Sequence, residues 1–224
     1  MITVHHLNNS RSQRVLWLLE ELGLPYEIKK YQRDPDTMLA PPSLREVHPL
    51  GKSPVITDDG QTVAESGAII EYLVECHGQG RLVPASGTPE RLRYTYWLHF
   101  AEGSAMPPLL LKLIFDEIPH RPMPFFVQPV ARGISRKVLA TFVTPNLERQ
   151  LNFMESELGK SEWFAGPVLT AADIQMSFPL EAAAQRAGLD GSRPKLMAFL
   201  QRIHARPAYQ RALERGGPYA FASG

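Results

Sequence analysis

Strand patterns are confined to the first 80 residues of this chain, and only helical patterns follow them. Three early segments, "ITVHHL", "YEIKKYQ" and "PVITDDGQTVAE", have the composition of strands, and the third contains the hairpin signal Asp59-Gly60. Between and after them, "RVLWLLEEL" and "SGAIIEYLVECHG" place apolar residues at helical spacing. With one short helical turn in "PPSLREVHPLG", the predicted order is β-α-β-α-β-β-α, an α/β unit.

The change of pattern also predicts the domain boundary. The segment "GQGRLVPASGTPE" is rich in Gly, Pro and Ser, as linkers are. We therefore expect an α/β domain over residues 1–79, a linker over 80–87 and an all-helical domain over 88–224. Within the helical domain, Pro107-Pro108 and Pro145 are expected to kink or split the helices that contain them, because proline lacks the N–H of the helix ladder.

The composition favours an ordinary globular protein. The 224 residues are 44% hydrophobic and 21% charged, with a net charge of +1, so no basic surface for nucleic acid or anionic membrane is expected. No apolar run approaches the roughly 20 residues that span a bilayer, and "MITVHHLNNS" does not resemble a signal peptide. Cys76 is the only cysteine, which excludes an intramolecular disulfide, and no metal-ligand spacing is present. These features predict a cytoplasmic protein without a metal.

Pro54 stands directly before a predicted strand. A proline at this place can mark a strand edge whose backbone groups remain free to pair with an extended peptide. Val55 is then the residue whose N–H and C=O would bind the peptide. The alternative is an edge-strand proline without a ligand.

Glu65 and Ser66 precede a predicted helix. Ser66 is a suitable N-cap, and the free N–H groups of a helix start attract carboxylates. Glu65 would pair with an ammonium group, so that the two residues hold an amino-acid end group. Lys52 would neutralise a second carboxylate at the other end of the peptide. The alternative is a capped helix beside a solvated Glu and a solvated Lys.

Ser10 lies between the first strand and the first helix. Its hydroxyl could donate a hydrogen bond to a substrate anion, and no base partner for a nucleophilic serine is evident. The segment from Ser10 to Gln13 also matches the S-x-x-Q capping box, which favours a structural role.

Together these segments resemble the cytosolic glutathione transferase family over the whole chain, and most strongly over residues 1–78. The resemblance rests on "SRSQRVLWLLEELGLPYE", "HPLGKSPVI", "AESGAIIEYL" and "FAGPVLTAADI" in this order, with "YWLHFAEGSAMPPLLLKLI" as a further match. The sequence most resembles the fungal and bacterial Ser-type members of this family. The resemblance implies an α/β thioredoxin-like N-terminal domain plus an all-α C-terminal domain, and a homodimer.

The resemblance also implies roles for the residues above. Pro54 matches the family's cis-proline before the third strand, and Val55 matches the residue that pairs with the cysteinyl backbone of glutathione. Glu65 and Ser66 match the pair that holds the γ-glutamyl end, while Lys52 matches a contact of the glycine carboxylate.

The residue that activates the thiol has two candidates. No tyrosine or cysteine stands at the end of the first strand, which argues against the Tyr-type and Cys-type classes. Ser10 is the first candidate for a Ser-type enzyme. Alignment on Arg14-Val15 instead places Asn9 where many Ser-type members have their serine.

Further roles follow from the helical half. Met106, Pro107 and Leu110 are expected to form one wall of the acceptor pocket, and Glu102 to reach the glutathione of a partner subunit. Thr170 and Asp173 match the family's buried capping motif, so we assign them a structural role.

The implied function is a glutathione transferase that serves detoxification. It uses glutathione as a co-substrate, without another cofactor, and joins its thiolate to a small, hydrophobic electrophile. Two alternatives remain open at this point: a glutathione-dependent disulfide reductase or peroxidase on the same scaffold, and a non-enzymatic binding module.

Overall fold

The computed structural model describes residues 1–222, and its first third is an α/β unit. The strands are β1 (Ile2–Leu7), β2 (Tyr26–Tyr31), β3 (Val55–Asp58) and β4 (Gln61–Ala64). The helices of this part are α1 (Ser12–Leu22) and α2 (Ser66–His77), with a 3₁₀ turn at Pro42–Glu46. The predicted order of elements is confirmed.

The strands form a four-stranded sheet in the order β2-β1-β3-β4. β2 runs parallel to β1, while β3 is antiparallel to both of its neighbours. Since β3 lies inside the sheet, the expectation that Pro54 marks a free strand edge is wrong. Val55 pairs with His5 on one side and with Ala64 on the other, and only 1% of it is exposed.

The rest of the described chain is helical, as predicted. The helices are α3 (Pro89–Phe100), α4 (Met106–Glu117), α5 (Gln128–Val138), α6 (Thr144–Leu158), α7 (Ala171–Arg186), α8 (Pro194–His204) and α9 (Pro207–Gly216). Two π-helical turns, Ala101–Ala105 and Leu139–Val143, lie directly before α4 and α6, and a 3₁₀ turn follows α4 at Ile118–His120.

The predicted interruption at Pro107-Pro108 takes the form of the first π turn. Pro108 has no N–H to donate to the carbonyl oxygen of Ser104 four residues earlier. The side chain of Gln150 on α6 satisfies that oxygen instead, with Nε2 donating over 3.0 Å. Pro145 follows the end of the second π turn by two residues, as Pro107 follows the first, so proline marks a wide turn in a continuing helix at both places.

One apolar core joins the sheet, α1 and the later helices. Trp17 of α1 is fully buried and meets the ring of Tyr209 on α9 edge-on, with 5.4 Å between the ring centroids. At the margin of this contact, Arg206 donates from Nη2 to Glu21 Oε2 over 2.9 Å. α9 therefore holds α1 in place. Nearby, α7 is buried along almost its whole length.

A buried carboxylate organises the start of α7. Asp173 Oδ2 accepts from the N–H and the hydroxyl of Thr170, each over 2.8 Å, and Oδ1 accepts from Phe164 N over 2.8 Å. Asp173 is fully buried and has no cation beside it, so burial raises its pKa to about 6, although these hydrogen bonds oppose the rise.

This raised pKa predicts a pH-dependent stability. The folded protein holds the Asp173 proton more tightly than the unfolded chain, so this contribution is complete below pH ~4 and is lost as the pH rises through about 6. The loss is about 3 kcal/mol. We expect urea unfolding to show the advantage of wild type over Asp173→Asn shrinking between pH 4 and pH 7. An advantage that grows with pH would instead indicate a permanently ionised carboxylate.

Candidate active site

A groove of about 200 Å³ lies where the turn before β3, the start of α2 and the first π turn meet. It brings together five residues that were predicted to be functional, namely Lys52, Pro54, Glu65, Ser66 and Glu102. Arg11 and Ser53 also line it, and neither was predicted. The groove therefore combines a helix N-terminus with charges of both signs.

The start of α2 has a strained residue at its cap. Glu65 adopts φ +71°, a value that few residues with a side chain adopt, and its carbonyl oxygen accepts the first helical bond from Ile69 N over 2.9 Å. Glu65 is thus the N-cap, and the expectation that Ser66 occupies this place is wrong by one residue. Ser66 is the first helical residue, so its N–H and those of the next two residues lack an acceptor within α2.

The turn before β3 presents Ser53 to the groove, rather than Val55. The peptide bond between Ser53 and Pro54 is cis. Ser53 Oγ donates to His5 O over 2.9 Å and accepts from Leu7 N over 3.3 Å, so this side chain ties the turn to β1. The expected peptide-binding role of Val55 is contradicted, because Val55 is buried inside the sheet. In the sequence, the feature that could have indicated Ser53 as a groove residue is its position directly before Pro54.

Ser10 is buried behind the groove and does not line it. Its Oγ lies 2.7 Å from Ser12 Oγ, which in turn lies 2.8 Å from His6 Nδ1. Burial, reinforced by Lys30, lowers the pKa of His6 to about 4, so this histidine is neutral at pH 7.

The capping box from Ser10 to Gln13 does not form. α1 begins at Ser12 with Arg11 as its N-cap, and Ser10 Oγ accepts from Ser12 N over 3.2 Å. The side-chain amide of Gln13 is buried and has no hydrogen-bond partner within residues 1–222. The capping-box motif gave a wrong prediction because Ser12 Oγ instead forms hydrogen bonds with Ser10 and with His6 of β1.

Asn9, the second candidate for thiol activation, is held by the C-terminal segment. It adopts φ +49°, and its Oδ1 accepts from Ala220 N over 2.8 Å. Its carbonyl oxygen accepts from Arg33 Nη2 over 3.4 Å. Like Ser10, Asn9 does not line the groove.

Glu102 is bound by two arginines of its own chain. Its Oε2 lies 3.2 Å from Arg11 Nε, and its Oε1 accepts from Arg14 Nη2. The side chain of Arg14 is 1% exposed and also donates from Nη1 to Gln175 O over 2.6 Å. This pair joins α1 to the helical part at the groove. The expected contact with a partner subunit stays a prediction.

The three residues expected to form an acceptor wall differ in exposure. Met106 is buried, whereas Pro107 and Leu110 are exposed, although Met106 and Leu110 stand one turn apart on the same side of α4. None of them lines the groove. Their expected role in an acceptor pocket stays a prediction.

The fold and the groove define a thioredoxin-like domain followed by a helical domain, and comparisons with known proteins identify the family. A family model for the glutathione S-transferase N-terminal domain matches residues 10–76, and one for the C-terminal domain matches residues 123–207. The chain is 38% identical over 216 residues to glutathione S-transferase 3 of Schizosaccharomyces pombe, covering 96% of this chain and 88% of that protein.

Solved structures of glutathione transferases also match this chain. A glutathione S-transferase from Actinobacillus pleuropneumoniae matches with a TM-score of 0.81 and 30% identity, over 100% of this chain and 97% of that one. A glutathione transferase from Phanerochaete chrysosporium, in complex with oxidized glutathione, matches with a TM-score of 0.73 and 26% identity, over 96% of each chain. The chain belongs to the glutathione S-transferase family and is an enzyme of that family.

The described residues contain neither a candidate membrane-spanning helix nor a candidate metal-binding cluster. No helix within residues 1–222 is long and apolar enough to cross a membrane. In the same part of the chain, no group of three or more His, Cys, Asp or Glu side chains is arranged to hold a metal ion.

The ion pair of Glu102 predicts a large stability effect. Glu102→Ala leaves the buried guanidinium of Arg14 without its counter-charge, so we expect a loss of about 3 kcal/mol in the free energy of unfolding. Asp116→Ala is the matched control, because Asp116 forms a partly exposed pair with Lys112 over 2.7 Å within one helix, and such pairs contribute less than about 1 kcal/mol. Equal losses in urea unfolding would contradict a structural role for Glu102.

Proposed function

We propose that the groove binds glutathione and that the enzyme uses its thiolate as a nucleophile. The observation that supports this best is the meeting of a helix N-terminus, an acid, a cis-proline turn and a lysine in one groove. A tripeptide with an amino-acid group at one end and a carboxylate at the other requires these contacts. The Phanerochaete relative in complex with oxidized glutathione adds support.

The proposed pose follows the charges of the groove. The γ-glutamyl carboxylate lies at the start of α2, where it accepts from backbone N–H groups and from the Ser66 hydroxyl. Its ammonium group pairs with Glu65. The cysteinyl part lies along Ser53 and Pro54, and the glycine carboxylate pairs with Lys52. The sulfur then lies toward the beginning of α1.

The proposed reaction needs an ionised thiol. A free thiol has a pKa near ~8.5, so little thiolate exists at neutral pH. On binding, the thiol loses its proton to solvent. The thiolate then attacks an electrophilic carbon of a small, apolar substrate, a carbon–sulfur bond forms, and the leaving group departs with its electron pair. A hydrogen-bond donor or a positive charge beside the sulfur favours its charged form. Ser10 and Asn9 are the donors predicted from the sequence, and neither lines the groove.

We propose that the enzyme is a cytoplasmic homodimer acting in detoxification. Leu110 and Ile114 of α4, with Val130 and Ile134 of α5, expose apolar side chains four residues apart on each helix. Such a surface suits burial against a second copy. Size-exclusion chromatography with light scattering should give a mass near twice the 25.1 kDa of one chain. A mass near one chain would exclude the dimer.

The binding pose is tested by one acid inside the groove and one outside it. We expect calorimetry to show glutathione binding to wild type, and a roughly tenfold weaker affinity in Glu65→Gln, because a charge-assisted contact to the ammonium group is lost. Glu75→Gln is the matched control, since Glu75 lies on the same helix, exposed and away from the groove.

An unchanged affinity in Glu65→Gln would contradict the pose, and no binding to wild type would contradict the proposed function. Conjugation of a chloroarene, assayed beside reduction of a small disulfide, separates a transferase from a disulfide reductase. Glutathione binding without either activity would indicate a binding module.

A further inference from the structure

We infer that Arg11 is the group that stabilises the glutathione thiolate, and that Glu102 is its positioning residue. This inference rests on the proposed function. It starts from the placement of side chains at the beginning of α1, where the hydroxyl expected to act is turned away from the groove and a guanidinium lines it.

Ser10 is occupied by its own surroundings. Only 4% of the residue is exposed, and its Oγ is engaged with both the hydroxyl and the N–H of Ser12. When the Ser12 hydroxyl donates to His6 Nδ1 or Leu7 O, its oxygen accepts the Ser10 proton, and a bond from Ser10 to a sulfur atom in the groove would replace that contact. Asn9 accepts from Ala220 N at its side-chain oxygen and does not line the groove.

Arg11, by contrast, is presented to the groove with a defined orientation. About a third of its side chain is exposed, and its guanidinium carbon lies 5.4 Å from the ring centroid of Phe178. Its Nε lies 3.2 Å from Glu102 Oε2, an ion pair without a hydrogen bond. Within residues 1–222 neither terminal nitrogen of Arg11 has a hydrogen-bond partner, so both are available to a ligand. This contact with the ring is an attractive cation–π interaction that helps to hold the guanidinium at the groove.

The charges around Arg11 leave the site positive. Glu102 is shared by Arg11 and Arg14, so these three groups together carry one excess positive charge. Arg33 also faces Arg11 closely enough for their charges to repel, and Lys52 and Glu65 across the groove offset each other. An anion that enters beside Arg11 therefore meets a net positive field.

The step that Arg11 assists is the ionisation of the thiol. The S–H bond breaks, the proton leaves to solvent, and the electron pair stays on sulfur, beside the guanidinium. Arg11 does not accept the proton, because a guanidinium offers only N–H donors and no acceptor. An opposite charge within about 4–6 Å lowers the pKa of an acid by about 1 unit or more.

The test is a pH titration of thiolate absorbance in the glutathione complex of wild type, Arg11→Gln, Arg11→Lys and Ser10→Ala. We expect Arg11→Gln to raise the thiol pKa by about 1 unit, while Arg11→Lys keeps most of the wild-type value. With a chloroarene substrate, kcat/KM of Arg11→Gln should fall about tenfold at pH 6.5 and recover above pH 9, where the thiol ionises without help. Arg132→Gln, an exposed arginine far from the groove, is the control.

Calorimetry on the same variants separates the possible outcomes. An unchanged thiol pKa in Arg11→Gln, with a raised one in Ser10→Ala, overturns the inference and restores Ser10. A large loss of glutathione affinity in Arg11→Gln without a change in thiol pKa overturns it too, and makes Arg11 a carboxylate ligand. If wild type binds no glutathione, the proposed function fails and the inference fails with it.

Discussion

The ion pair between Arg14 and Glu102 is the contact on which the groove depends. It joins the first helix of the sheet domain to the π turn of the helical part, and it buries a guanidinium that would be costly without its counter-charge. The same carboxylate orients Arg11. A change on either side of this boundary therefore alters both the attachment of the two parts and the electrostatics of the site.

Local sequence patterns predicted most of the fold, because they depend on near neighbours. The alternation of strands and helices, the hairpin at Asp59-Gly60 and the interruption at Pro107-Pro108 all follow from backbone constraints within a few residues. The grouping of Lys52, Pro54, Glu65 and Ser66 in one groove was expected from their resemblance to a known family. The resemblance also placed the cis bond before β3.

Long-range pairing explains what the sequence could not predict. Whether β3 is an edge or an interior strand depends on the pairing of β1 and β4 with it, which no local pattern specifies. For this reason Val55 was predicted to bind the peptide, whereas Ser53 is the residue that lines the groove. The role of Ser10 depends on His6 and Ser12, whose hydrogen bond forms only after β1 and α1 pack together. No role for Arg11 was predicted, because Arg11 lies inside the apparent capping motif from Ser10 to Gln13.

The wide turn at Ala101–Ala105 changes the rotation of α4 relative to α3 about their common path. An unbroken helix turns each residue by about 100°, so one inserted position would swing every later side chain out of place. The extra residue of a π turn absorbs such a shift. Gln150 supplies the hydrogen bond that the turn lacks. The sequence and rotation of the exposed face of α4 can thus change while Glu102, which lies within the turn, remains beside Arg11 and Arg14.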